Sequence, residues 1–210
     1  MSSSDPVLLL ASGLNGPDDV LNLDDGSILA GEHGDGHIAK VTPDGALARL
    51  PQVVPEAEGI AQIGGVIYIA DQLNARVVAL TDTGVRTVLQ LQPVASGENL
   101  DGMSADLKGS GLVVPDSPHS TVLFVDAAGH VQRTVGGFRR PAGVSVGLNG
   151  TYLVADENAS AIYSLGPSGG PQRLFGGLPG VDDVVQDVVG NHHVFTILPG
   201  SGRLLDLTSG

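Results

Sequence analysis

The chain has 210 residues, enough for one large domain, and its ten Lys and Arg against 23 Asp and Glu give a formal charge of −13, a field that repels phosphate backbones and anionic lipid surfaces. No nucleic acid and no membrane partner is therefore expected, whereas cationic ligands and hard metal ions are favoured. The absence of Cys excludes disulfides, thiolate nucleophiles and Cys-ligated zinc.

The first residues, MSSSDPVLLLASGL, hold no basic segment and only a short apolar run, too little for a signal sequence or a membrane span. A soluble protein is expected, with a cytoplasmic location and a secreted one both open. From Pro17 onward the chain repeats itself. PDDVLNLDDGSILAGE from Pro17, AEGIAQIGGVIYIAD from Ala57, LDGMSADLKGSGLVVPD from Leu100, PAGVSVGLNGTYLVAD from Pro141 and VDDVVQDVVGNHHVFTI from Val181 align on their second residues, Asp18, Glu58, Asp101, Ala142 and Asp182. Their offsets are 40, 43, 41 and 40 residues, the period of a four-stranded propeller blade.

Each repeat reads as four short strands divided by turn chemistry. In the second, GIAQI, VIYIA, RVVALT and VRTVLQL are the strands, with Gly64-Gly65 and Asp82-Thr83-Gly84 between them. Asp24-Asp25-Gly26, Pro43-Asp44-Gly45, Asn149-Gly150 and Pro167-Ser168-Gly169-Gly170 suit hairpins in the first and fourth repeats. Helical periodicity is absent. The last repeat stops after a third strand, GRLLDL, but PVLLLASGLNGPDD at residues 6–19 matches PQRLFGGLPGVDD at 171–183, so the N-terminus is expected to supply the missing fourth strand and remove an open sheet edge. The prediction is an all-β fold: one domain over 1–210, a five-bladed β-propeller with blades near 17–56, 57–99, 100–140, 141–180 and 181–210 plus 6–13. The ring is read as complete and the protein as a monomer.

In a propeller the first strand of each blade lines the central channel. The aligned position therefore sets Asp18, Glu58, Asp101 and Asp182 around one channel mouth, with Ala142 as fifth member. Crowded carboxylates raise one another's pKa, and a bound cation relieves them; all-oxygen donors and a flexible ring favour Ca²⁺. The alternative is a set of solvated carboxylates, or carboxylates that accept backbone N–H bonds. The next column, Asp19, Gly59, Gly102, Gly143 and Asp183, reads as tight backbone rather than chemistry.

The loops between second and third strands share the face of that mouth. They read EHGDGH (32–37), DQLNAR (71–76), DSPHST (116–121), DENASA (156–161) and LPGSGR (198–203). Their leading acids Glu32, Asp71, Asp116 and Asp156 recur too regularly to be individually catalytic and read as hydrogen-bonding anchors. His33, His37 and His119 are the rim groups able to bond a substrate or move a proton near neutral pH. Gly34-Asp35-Gly36 between the first two makes a loop, which argues against a zinc pair. His192 and His193 read as structural. No nucleophile elbow, phosphate loop or dinucleotide fingerprint occurs.

LDGMSADLKGSGLVV resembles the Pro-Asp-Gly-Met first-strand motif, and PAGVSVGLNGTYLVADENASAIYSL the Asn-Gly-Leu, Asp-Gly and Tyr-Val-Ala-Asp segment, of the gluconolactonase and senescence-marker-protein (regucalcin-like) propellers; NHL-repeat propellers share much of the pattern. The specific motifs cover the third and fourth repeats. The resemblance implies one divalent metal in the channel mouth and an Asp that doubles as base toward a metal-activated water; Asp101 matches that Asp and Asp18 the first-blade acid. Two features depart from it: Ala142 stands where the family has a ligating Asn, and there are five blades where the family has six. The expected activity is divalent-metal-dependent hydrolysis of a lactone or related small ester, with metal on Asp18, Glu58, Asp101 and Asp182, proton transfer by Asp101 or by His33, His37 or His119, and Ala142 leaving the open coordination side. The rivals are a non-catalytic propeller that binds a small polar ligand or a protein, and a metal-dependent lactone-opening lyase. With no Trp, three Tyr and four Phe, the chain is short of protein-interface anchors, which favours a small-molecule substrate or ligand.

Overall fold

The computed structural model describes residues 9–187 and 193–207. It is a five-bladed β-propeller with five antiparallel sheets in chain order. Blade 1 contains β1 (Pro17–Asn22), β2 (Ile28–Glu32), β3 (His37–Val41) and β4 (Leu47–Val53). Blade 2 contains β5 (Ala57–Ile63), β6 (Val66–Asp71), β7 (Arg76–Thr81) and β8 (Gly84–Gln90). Blade 3 is built from β9 (Ser104–Ala105), β10 (Gly111–Asp116), β11 (Thr121–Asp126) and β12 (Val131–Val135), and blade 4 from β13 (Pro141–Val146), β14 (Tyr152–Asp156), β15 (Ala161–Leu165) and β16 (Gln172–Gly176). Blade 5 has three strands among the described residues, β17 (Val184–Gln186), β18 (Val194–Leu198) and β19 (Arg203–Asp206). Among the described residues, helix is confined to three 3₁₀ turns of three residues each.

Burial follows strand position. Each middle strand lies between two neighbouring blades and is apolar on both faces, so β10 and β14 are buried along their whole length, as sheets covered on both sides require. The seams are apolar clusters: Leu29, Ile38, Ile60 and Ile69 between blades 1 and 2, and Tyr68, Val77, Leu112 and Leu123 between blades 2 and 3. Phe138, Val144, Tyr152 and Leu165 fill the next seam, and Leu153, Ile162, Val184 and Val194 the one after it. The seam between blades 5 and 1 differs. Val185, Ile197 and Leu204 hold the register places that Ala61, Ala70 and Val77 hold in blade 2, yet Leu204 is 72% exposed where Val77 is 0%.

Of the expected closing strand, residues 6–8 lie outside the described residues. Residues 9–13 carry no strand pairing to β19 but run where an outer strand of the preceding blade belongs. The Leu10 carbonyl approaches Gly45 in the last hairpin of blade 1, just as the Val88 carbonyl of blade 2 approaches Gly129 in the last hairpin of blade 3. Arg49 adds a 2.9 Å bond from Nη2 to the Gly13 carbonyl. Among the described residues no helix is long and apolar enough to cross a membrane.

Candidate functional site

The start of the innermost strand is irregular in blades 1 to 4, and this irregularity helps to build the site. In blade 1, Pro17 pairs with Glu32 and Val20 with Ala30, so Asp18 and Asp19 together face the single residue Gly31. Blade 2 bulges in the same way at Glu58-Gly59 and blade 4 at Ala142-Gly143. In blade 3, Asp101-Gly102-Met103 leaves the ladder altogether between the Leu100–Asp116 bridge and β9. A bulge frees two residues from cross-strand pairing and re-aims their side chains. Here it turns one toward the channel mouth and sets the next at a collar beneath it.

At the collar, backbones of neighbouring blades touch. Gly59 N–H donates to the Asp101 carbonyl at 3.2 Å and Gly143 N–H to the Asp182 carbonyl at 2.8 Å. A Cβ on Gly59 would lie 2.5 Å from Met103 N, and one on Gly102 would lie 3.1 Å from Gly143 Cα, so the glycine column is a steric requirement. Asp19 and Asp183 complete the collar. Asp19 accepts from Ile60 N–H at 3.0 Å and Val20 N–H at 2.8 Å, and Asp183 from Val184 N–H at 2.7 Å. Burial, with Asp183 next, pushes Asp19 up to about 7, and burial pushes Asp183 up to about 6 against its backbone bond.

Above the collar is a cavity of about 260 Å³ lined by Asp18, Asp19, Asp101, Asp182 and Asp183 with Pro17, Ile197 and Pro199. Glu58 is 5% exposed; its Oε1 meets the Nδ1 of His33, and Asp18 lies close enough to act on it. Its carboxyl is pushed up to about 9, by burial first and then by Asp18, Asp101 and Asp182. Burial, then Asp101 and Asp18, lift Asp182 to about 7. Burial also raises Asp101, although Arg140 pulls the other way. The structure thus brings the four aligned carboxylates and His33 into one electrostatic unit.

Arg140 is the member that the sequence reading missed. Its Nη1 lies 3.1 Å from Asp101 Oδ2 and 2.6 Å from Glu157 Oε2. Ala142, expected to leave an open side, is fully buried, and the guanidinium two residues upstream supplies positive charge to that flank. The signal was the pair Arg139-Arg140 just before the fourth repeat. The other expected proton carriers stay on the rim. His119 Nδ1 bonds Asp116 at 2.7 Å; His37 Nδ1 is 3.0 Å from Asp35 but out of line for a hydrogen bond. His193 pairs with Asp206 at 2.6 Å and stacks on Phe195; His192 lies outside the described residues.

The leading acids are anchors. Glu32 is gripped by Arg49 through bonds of 2.6 and 2.7 Å and by Asn15 N–H at 2.8 Å. Asp71 accepts from Arg76 at 2.7 Å and from Asn74, and Asp156 accepts from the N–H groups of Arg139, Arg140 and Ala159. Glu32, Asp35 and His37 form the one group of three among the described residues whose ligand atoms lie within 4.8 Å of one another, but Arg49 already occupies both Glu32 oxygens. The four ring carboxylates do not form such a group among the described residues.

No family model matches the chain, and no curated protein matches it by sequence. Solved structures match in fold. A streptogramin B lyase superposes with a TM-score of 0.70 at 15% identity over 89% of this chain and 66% of the lyase, so the chain spans about two thirds of that protein's length. The propeller in a nidogen/laminin complex gives 0.78 at 15% identity over 90% and 74%. A protein assigned as a gluconolactonase gives 0.69 at 14% identity over 94% and 79%. At these identities the likeness establishes the propeller fold.

Proposed function

We propose that this propeller is a hydrolase acting on a lactone or related small ester at its channel mouth, with a divalent cation, Ca²⁺ before others, as cofactor. One observation carries the reading: carboxylates of blades 1, 3 and 5 line one cavity, Glu58 of blade 2 is coupled to them electrostatically, and among the described residues Arg140 is the guanidinium that meets them. Such a surplus of oxygen donors suits a hard cation. Asp18, Glu58 and Asp182 would hold the ion, with Asp101 as the fourth donor. When bound, it polarises a carbonyl and lowers the pKa of a water. Asp101, bonded to Arg140, and His33, bonded to Glu58, would take a proton from the attacking water and return it to the leaving oxygen. His37 and His119 would meet the substrate only at the rim. The gluconolactonase and lyase among the structural neighbours support placing the chemistry on this fold. The test is a lactone and ester panel run before and after rigorous chelation, with product masses recorded. Hydrolysis adds one water and elimination adds none, so mass separates hydrolase from lyase. Turnover unchanged by metal removal overturns the metal-dependent reading.

A second reading, a non-catalytic propeller that binds a small polar ligand or a protein partner, is favoured by Arg140, which already neutralises the residue that would serve as base. It predicts cation or ligand binding with no turnover on the panel.

A further inference from the structure

The carboxylate ring is asymmetric in a way that only the third and fourth blades explain. Four residues each follow a buried anchor acid by one position: His33 after Glu32, Gln72 after Asp71, Ser117 after Asp116 and Glu157 after Asp156. Three of these side chains reach the inner strand starts. His33 bonds Glu58, Gln72 donates to the Leu100 carbonyl at 2.9 Å, and Glu157 takes Arg140. Ser117 is 1% exposed and its Oγ has no hydrogen-bond partner among the described residues. By register it serves the start of blade 4, where Ala142 is also small and fully buried. Two small side chains thus stand where blade 1 and its successor put His33 and Glu58, and the one cation of the mouth, Arg140, enters beside them. One of its nitrogens, Nη1, is divided between Asp101 at 3.1 Å and Glu157 at 2.6 Å.

We infer that Arg140 is a tethered competitor for the cation site, docked on Asp101 until a soluble cation takes that carboxylate and held meanwhile by Glu157. The inference rests on the cation site proposed above. The shorter bond to Glu157 matters, because Arg140 can give up Asp101 and keep an ion pair. A buried cation stripped of every partner is costly, so without Glu157 the guanidinium clings to Asp101. Arg140 therefore lowers the affinity of the mouth for free cations, and Glu157 limits that loss. The arrangement favours a divalent ion, which must outbid a guanidinium, over a monovalent one.

The experiment is calorimetric titration of the chelator-stripped full chain with Ca²⁺ and with Mg²⁺. Arg140→Gln should bind Ca²⁺ at least tenfold more tightly than the unaltered chain, and Arg140→Lys should fall between. Arg139→Gln removes the same charge one residue away, from an exposed side chain, and should change affinity less than threefold. Glu157→Gln should weaken binding, and by a larger factor with Arg140 present than in the Arg140→Gln background, which is the non-additivity of coupled residues. Equal effects of Arg139→Gln and Arg140→Gln would reduce Arg140 to a general field and overturn the inference. So would Ca²⁺ binding that Asp18→Asn abolishes but Arg140→Gln leaves unchanged, and in that case the cation site itself stands. No binding in any variant removes the site and the inference together. Circular dichroism melts of each variant confirm that the chains compared are folded.

Discussion

At Glu58, burial and three neighbouring carboxylates lift the pKa from 4.5 to about 9, and this has a sign that can be measured. Between those values the folded chain keeps a proton that the unfolded chain has released, so stability falls as pH rises. Asp182 and Asp19, each lifted from 3.8 to about 7, and Asp183, lifted to about 6, act in the same direction. The metal-free protein should therefore be more stable at pH 5 than at pH 8. Glu58→Gln should raise Tm at pH 8 by about 5 °C, roughly 1.3–2.5 kcal/mol for a chain of this size, and change it little at pH 5. Thermal melts across pH check this; a variant that melts with the unaltered chain at pH 8 shows that the ring repulsion is already relieved. The aligned column made Asp18, Glu58, Asp101 and Asp182 legible in the sequence, because repeats report register, whereas Asp19 and Asp183 were read as backbone rather than chemistry. The pair Arg139-Arg140 signalled a cation near the fourth repeat, but the contact of Arg140 with Asp101 was not legible, because it depends on side-chain reach from a position outside the column. The glycines were legible as backbone, and Gly59→Ala should cost ~3 kcal/mol or more, since its new methyl would meet Met103 N and Gly102 C at 2.5 and 2.6 Å; urea unfolding measures it.

Among the elements, the strands of blade 2 fall within a few residues of the expected runs, since Gly64-Gly65 and the Asp82–Gly84 turn fix their ends. Both glycines have positive φ, 55° and 83°, as a two-residue hairpin requires. The bulges at Asp18-Asp19 and Glu58-Gly59 were not legible, because an extra unpaired residue leaves the apolar alternation of a short strand almost unchanged. They nevertheless explain why two adjacent carboxylates open blade 1: one belongs to the mouth and one to the collar. The closing strand was expected from the match between residues 6–19 and 171–183; residues 9–13 form no strand and make no pairing to β19, although the Leu10 carbonyl lies beside Gly45. A paired comparison separates the seams. Val77→Ala, in a filled seam, should destabilise by about 2 kcal/mol through lost burial and a residual cavity. Leu204→Ala, at the same register place in blade 5 but 72% exposed, should cost under ~0.5 kcal/mol. Equal losses in urea melts would show that the seam between blades 5 and 1 is filled in solution.

For the molecule as a whole, the −13 charge and the ring act together, because the mouth collects carboxylates in a chain already short of cations. A cation bound there must displace the protons that burial and repulsion hold on Glu58 and Asp182, so its affinity rises with pH through the interval from about 7 to about 9. Binding to the folded state alone stabilises it by ~2.7 kcal/mol at a hundredfold excess over Kd, which for this chain length corresponds to a rise of roughly 5–10 °C in Tm. The chelator-stripped protein should therefore gain that much on Ca²⁺ addition at pH 8 and much less at pH 6, reversing the pH dependence of the metal-free form. Mg²⁺ should do less, because it demands shorter bonds in a fixed octahedron. Asp18→Asn combined with Asp182→Asn should abolish the gain. If Ca²⁺, Mg²⁺ and Mn²⁺ all leave Tm unchanged at pH 8, the mouth is no cation site, protons and Arg140 are its only counter-charges, and the propeller is read as a binding module whose variable rim carries the recognition.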